Sequence, residues 1–516
     1  MIHKKTDDSL LIFISSCNAW DIPFLFIIIT DGKRFVKGYF RKTAEELANP
    51  PEKPVLNLEK AVCESILNAF STGRSYYVEN GLRSSRYYAL FVCLPAGYAG
   101  RNALSKGVEE KIFCGVMALE QNGKRVLILT CDHLGIPVGE CRIIRQRLLQ
   151  HYPFLREEDI FISARHTHFA PGFGSYIIYK NGGELPVGVY REKEEYFSFF
   201  MEKVLCAAGK AFGELEEVRL LQTEQTVRSI AFNRRTPAKT DGKVTTNYRY
   251  PEDPENWDFM PYDPTLHVWK FMKKDGKPKA VLVRYGCHPV TGGKSPCLIS
   301  SDYVGYFRDA ITRELGCPAF FMLGTAGDVV PLTRGGSARR YIGETLANAV
   351  LLGELTFRDT TNFPLKTAIH TLEGVVPCMD GATAQELEKE WEKVLADYRL
   401  KEYDAKFFLA SLKYTFYQEF GAVSRIPLPV HTFQLGDRAL AGLPFEVLTG
   451  VGEEIRKRIP DAVVVSLCGG YEGYLPVEAD FSKGGYETDE GTVFARDTGD
   501  RLAAFAAEKL AEIRKI

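Results

Sequence analysis

One segment constrains this chain more than any other: Ile160-Phe161-Ile162-Ser163-Ala164, followed by Arg165-His166-Thr167-His168 and then Pro171-Gly172. The apolar, β-branched start predicts a short buried strand, and the Pro-Gly pair turns the chain away from it. Residues two apart on an extended backbone point to the same side, so His166 and His168 are expected to leave one face of the strand end. Two imidazoles converging there make half a metal site, or one ligand beside an acid/base. Taken alone, such a pair is equally well a pair of surface histidines near a turn.

The same arrangement recurs along the chain. Tyr285-Gly286-Cys287-His288-Pro289 follows the strand-like run Ala280 to Arg284, and a residue before proline is pushed out of helix. Glu446 follows Ala439 to Leu443 and is read as opening a helix, where a first-turn glutamate commonly serves only the helix dipole. Tyr471 and Tyr474 follow Val463 to Leu467, and tyrosines there are usually packing residues with a wet hydroxyl. Polar groups just past strand ends sit where open α/β sheets hold ligands. Imidazoles and a carboxylate are typical zinc donors, and an open position on zinc activates a water near neutral pH.

Composition narrows the rest. A chain of 516 residues with 45% hydrophobic residues has ample length for a large core, and a net charge of −1 gives no electrostatic case for nucleic acid. Twelve cysteines without a CxxC pair read as reduced, buried thiols of a cytosolic protein. Lys4 and Lys5 before Leu10 to Cys17 echo an export leader, but Asp7 and Asp8 interrupt it, and the longest early apolar run is too short to span a bilayer. Gly324 to Gly327 lacks the lysine of a phosphate-binding loop, so nucleotide binding is not supported.

No internal repeat is visible. Residues 1–83 read as an N-terminal extension of unknown role, with a strand at Phe24 to Ile29 and a helix near Leu58 to Phe70. Residues 84–516 alternate strand-like and helical patterns. The fold class expected is α/β: a layered sheet-and-helix catalytic domain with a metal site at strand C-terminal ends. Ala382 to Glu419 reads as a peripheral helix pair, solvated in preference to a lid.

From about Ser84 onward these segments resemble, in order, the catalytic domain of the neutral (alkaline, non-lysosomal) ceramidase family. Leu94 to Arg101 resembles its opening loop, Thr130-Cys131-Asp132-His133-Leu134-Gly135 its first aspartate-bearing strand end, and HTHFAPG its HTHSGP box. Asn233-Arg234, Asp263-Pro264, CHPVTGG, Ile299 to Tyr306, Gly324 to Pro331, LPFEVLTG and YEGYLPVE follow in the family's order. The resemblance implies a zinc amidohydrolase of the N-acylsphingosine type, acting in sphingolipid metabolism by attack of metal-bound water. It implies zinc ligands at His166, His288, Glu446 and Tyr474, with His168 as acid/base and Arg234 stabilising the oxyanion. Arg235 leaves a one-residue ambiguity for that cation, and Tyr486 resembles a further pocket tyrosine. Asp302 is expected to orient His288, and His133 to lie behind the site or face substrate. His267, His370 and His431 fall inside strand-like runs and are read as core or surface residues.

The chain also departs from the family. Val330 stands where the family carries a serine proposed as nucleophile, and valine cannot be acylated, which leaves direct attack by water. Phe169-Ala170 replaces a Ser-Gly pair and is expected to alter the pocket mouth, and the chain ends in a predicted helix, Arg501 to Ile516, without the family's C-terminal β-sandwich. These departures keep two alternatives in view: a zinc hydrolase of an ester, lactone or N-acetyl sugar, and a non-catalytic metal-binding homologue. The partner expected is a small or lipid-like N-acyl substrate, with oligomeric state left open.

Overall fold

Three hairpins, each followed by a helix and a strand returning parallel to the hairpin's second strand, build the body of the chain. The structure is a computed structural model describing residues 105–173, 187–292, 295, 297–400 and 405–515, with short strands at 9–14, 24–30, 34–40 and 77–79. The chain divides into two compact units, Met1–Arg74 and Ser75–Ile516. In the first, Ser9–Ile14, Phe24–Thr30 and Arg34–Phe40 form an antiparallel sheet. The expected helix near residues 58–70 and the loop at 94–101 lie outside the described residues.

In the second unit the first module pairs Phe113–Gln121 with Lys124–Cys131, crosses by the helix Val138–His151, and returns as Ile160–Ala164 beside Lys124–Cys131. Its turn is Asn122-Gly123, both at positive φ, the two-residue geometry that suits the twist of a hairpin. The second module runs Thr265–Lys273, Pro278–Tyr285, helix Asp302–Leu315 and Ala319–Leu323. The third runs Arg425–Leu435, Arg438–Gly442, helix Thr449–Arg458 and Val463–Val465. The repeat is therefore architectural, with no trace in the residues. Tyr77–Glu79, ahead of the expected 83/84 boundary, joins the first sheet, Val218–Thr226 and Arg358–Asp359 join the second, and Lys366–Val375 joins the third.

Apolar faces of flanking helices close the layers. In Thr498–Lys515, Leu502, Ala506 and Leu510 recur at helical spacing and bury with Val430, Ala441 and Val464 of the third sheet. The charged stretch near 382–419 is a helix pair, Ala384–Leu400 and Ala405–Phe420, in which Trp391 stacks on Tyr414 with centroids 4.7 Å apart. Leu387, Leu412 and Phe416 are buried, so one face is packed instead of solvated all round. Among described cysteines, Cys206 and Cys378 are exposed and the others buried, all free. Among the described residues no helix is long and apolar enough to cross a membrane.

The modules meet at strand ends. Ser466 N donates to Leu323 O at 2.9 Å, and Ala164 N donates to Leu467 O at 3.1 Å, joining the C-terminal ends of all three returning strands. Arg284, fully buried, donates through Nη1 to Asp263 at 2.7 Å and through Nε to Val464 O at 2.8 Å, tying the second module to the third. Arg456 adds a contact to Asp263 at 3.2 Å. Burial acts to raise the Asp263 carboxyl, but the two guanidiniums outweigh it and hold it well below the usual carboxylate range.

Because the folded-state value is depressed, the stability it contributes is complete above the ordinary carboxylate pKa and fades as pH falls below about 4. Asp263→Asn is expected to destabilise by about 3 kcal/mol at neutral pH, the cost of leaving a buried arginine uncompensated. Urea denaturation at pH 7 and in acid should show the gap between variant and wild type narrowing only on the acid side.

Candidate metal and hydrolytic site

All six strands of the three parallel pairs end at one place, and the polar residues just beyond them face one another. His166 and His168 follow Ile160–Ala164, but not on an extended backbone: His166 adopts a left-handed φ of 66°. That kink, where a β-extended residue was expected, brings the rings edge to face at 4.7 Å. The His166 and His168 Nε2 atoms lie 3.1 Å apart. His288 follows Pro278–Tyr285, its ring 4.7 Å from that of His166.

Glu446 does not open a helix. It forms a two-residue strand with Val447, paired in parallel with Tyr474–Leu475, and the helix begins at Thr449. A glutamate at the dipole would point along the helix; on this bridge it points at the histidines. Its Oε2 lies 3.1 Å from His166 Nε2 and 2.9 Å from His288 Nε2. Gly327 makes the placement possible, since a Cβ there would come within 2.5 Å of Glu446 O.

Tautomers decide what this cluster can hold. His166 Nδ1 donates to Leu134 O at 2.6 Å, and His288 Nδ1 donates to Ala326 O. Burial pushes His288 down to about 4, with Arg234 and His166 adding to it against Glu446, so that ring is neutral at pH 7. In neutral rings protonated at Nδ1, each Nε2 carries only a lone pair. Two lone pairs therefore face a carboxylate oxygen, an arrangement that is favourable around a cation. The nitrogens of His166, His168 and His288 all lie within 4.8 Å of one another. Borderline nitrogen and oxygen donors, oriented from behind by backbone carbonyls, fit a zinc-type ion.

The remaining predicted residues divide. Tyr474 is buried, stacks on His288 with centroids 6.5 Å apart, and accepts from Arg234 Nη2 at 3.1 Å. Burial and Glu446 raise its phenol well above the ordinary value, with Arg234 opposing. Arg234 Nε donates to Glu487 at 2.7 Å, and its Nη1 makes no hydrogen bond among the described residues. Arg235 turns away to Glu487 Oε2 at 3.2 Å and Asp480 O, so of the two arginines only Arg234 faces the cluster. Tyr486 lies 5.4 Å from Tyr474, ring to ring.

Three expectations do not hold. Asp302 does not touch His288, whose Nδ1 is taken by backbone; its Oδ1 accepts from Thr291 at 2.6 Å, and burial raises its carboxyl to about 6. His133 supplies a backbone carbonyl to His166 N at 2.8 Å, while its ring hydrogen-bonds Tyr196 and packs on Phe173 and Phe200. Phe169 and Ala170 are buried instead of lining a mouth. His267, His370 and His431 lie in strands away from the cluster.

Sequence reading passed over two supports. Tyr471 donates to Glu446 Oε1 at 2.8 Å, fixing the carboxylate from its other side. Asp328 accepts from Asn233 at 2.8 Å and from both N and Oγ1 of Thr449, and its carbonyl takes Arg234 N at 2.7 Å. The only hints were the paired tyrosines of YEGY and a lone aspartate after a glycine-rich turn.

Residues 93–336 match the family described as neutral/alkaline non-lysosomal ceramidase, N-terminal. This part of the chain belongs to that family. Neutral ceramidase A of Dictyostelium discoideum is 23% identical over 244 residues, 43% of this chain. The match spans 31% of that relative, under a third of its length. The crystal structure of the neutral ceramidase from Pseudomonas aeruginosa has the same fold, with TM-score 0.60, 17% identity, and coverage of 82% of this chain and 72% of that one. A ceramidase complexed with C2 gives TM-score 0.59 at 16% identity, covering 82% and 73%. His166, His168, Arg234, His288 and Val330 fall inside the ceramidase-family segment, whereas Glu446, Tyr471, Tyr474 and Tyr486 lie beyond it.

Removing the Tyr471 hydroxyl frees Glu446 to rotate without removing a donor. Tyr471→Phe is expected to weaken zinc binding roughly 10- to 100-fold, against near-complete loss in His166→Ala. Competition with a chelator of known affinity measures both.

Proposed function

We propose that the chain is a zinc-dependent hydrolase of an amide bond in an N-acyl, ceramide-like substrate. One observation carries the reading: two imidazole lone pairs and a carboxylate oxygen meet within 3.1 Å, beside the cation of Arg234. His166, His288 and Glu446, with Tyr474 alongside, would hold the ion. When bound, zinc supplies Lewis acidity that lowers the pKa of a water toward 7.

The chain's own groups account for the rest. His168 is the more exposed of the three imidazoles, half-buried where the other two are buried, and so is placed to take a proton from the attacking water and return it to the leaving nitrogen. Arg234 keeps its charge at any working pH, and its Nη1 edge supplies hydrogen bonds to the carbonyl oxygen as negative charge develops. Glu487 holds Nε so that this edge cannot swing away. Tyr474 steers the other guanidinium arm. Val330 is buried against Phe232 and offers no hydroxyl, so no acyl-enzyme forms through that position. The names of the relatives support ceramide as the first compound to test.

His168→Ala is expected to lower kcat by about 10²–10⁴-fold, and Arg234→Ala by about 10²–10³-fold, with zinc content retained in both. Steady-state hydrolysis of N-acyl sphingosines, N-acetyl sugars and simple esters, together with metal analysis, provides the check. Full zinc occupancy with no turnover on any of them would overturn the hydrolase reading.

A further inference from the structure

Phe232 and Arg234 lie two residues apart on one strand segment, so their side chains leave the same face. Arg234 goes into the site. Phe232 joins Val290 and Val330 in a small apolar cluster of their own. Out from that cluster run aromatic rings: Tyr250 at 5.3 Å and Phe259 at 6.2 Å from Phe232, stacked on each other 5.1 Å apart and 13° from parallel. Tyr248 closes the gap to the site, 5.5 Å from the Arg234 cation and 6.1 Å from Tyr486.

These outer rings are exposed to an unusual degree: 50% for Tyr248, 42% for Tyr250 and 38% for Phe259. Leaving so much adjoining aromatic area in water costs free energy that burial elsewhere would recover, and patches of this kind beside a site mark where ligand lies. The backing is aliphatic and aromatic throughout. The nearest side-chain amide, Asn233, is already committed to Asp328 and Pro261, so nothing there offers the directional hydrogen bonds a sugar requires.

We infer that Tyr248, Tyr250 and Phe259 form a shelf carrying an unbranched alkyl chain of the substrate outward from the carbonyl held at Arg234. This rests on the N-acyl hydrolase reading and deepens it. It also gives Val330 a role, since a methyl-lined wall in place of a hydroxyl extends the apolar surface up to the reacting centre.

The test is calorimetric binding of n-alkyl carboxylates, acetate to dodecanoate, whose head group pairs with Arg234 whether or not zinc is present. Wild type should gain roughly two- to fourfold in affinity per added methylene over the first several carbons. Tyr250→Ala/Phe259→Ala should lose most of that gain. Tyr250→Phe and Phe259→Leu, which keep the apolar area and guard against a folding artefact, should retain it. Affinity independent of chain length in wild type, or a gain untouched by the double variant, would sink the shelf. So would tighter binding of N-acetylhexosamine that Tyr250→Phe abolishes. Turnover on the N-acyl panel is scored separately. A protein that turns over without a chain-length gain loses the shelf alone, and one with the gain but no turnover loses the hydrolase reading alone.

Discussion

The contact on which everything else turns is repulsive by itself: lone pairs on two imidazoles directed at one oxygen of Glu446. Such a meeting persists only where the surrounding fold enforces it and a cation makes it favourable. The enforcement is visible on every side. Leu134 O and Ala326 O fix the rings from behind, Tyr471 fixes the carboxylate, and the left-handed turn at His166 spends backbone strain to aim the first ring. A residue with free choice of conformation would relax away from the others.

Behind this cluster lies a frame of buried, paired charges. Asp132 accepts from Arg165 at 2.7 Å and from Arg308 at 2.7 Å, and both guanidiniums are almost wholly inaccessible. Burial acts to raise that carboxyl, yet the two arginines hold it below its ordinary value. Asp263 with Arg284, and Glu487 with Arg234 and Arg235, repeat the pattern. Pairs of this kind add little net stability against an apolar core, but losing either partner is severe. Their effect here is positional, because each links backbone segments of different modules and so fixes the relative placement of the strand ends.

Two surfaces of different character therefore meet at Arg234. On one side stand donors suited to a metal and a proton carrier, held within about a residue's width of one another. On the other, an aromatic run continues to solvent. A polar reacting centre opening onto an apolar approach suits a substrate with one polar bond and one oily part, and it separates the group that reacts from the group that is recognised.

Much of this could be read from residues alone. Runs such as Ile160–Ala164 and Ala319–Leu323 are apolar enough to specify buried strands whatever surrounds them, and polar groups set just past such runs are conspicuous. Local pattern could therefore nominate His166, His168, His288 and Glu446, and family resemblance could rank them. It could not say that Asp302 would leave His288 to a backbone carbonyl, that Glu446 would sit on a bridge instead of a helix, or that Arg234 and not Arg235 would face inward. Those outcomes depend on which of several equally good hydrogen-bond partners arrives from a segment up to some 250 residues away, as Glu487 does for Arg234. Periodicity along the chain records which side chains want to be buried or polar. Which of them share a point in space is settled only when three separately formed sheets close on one another.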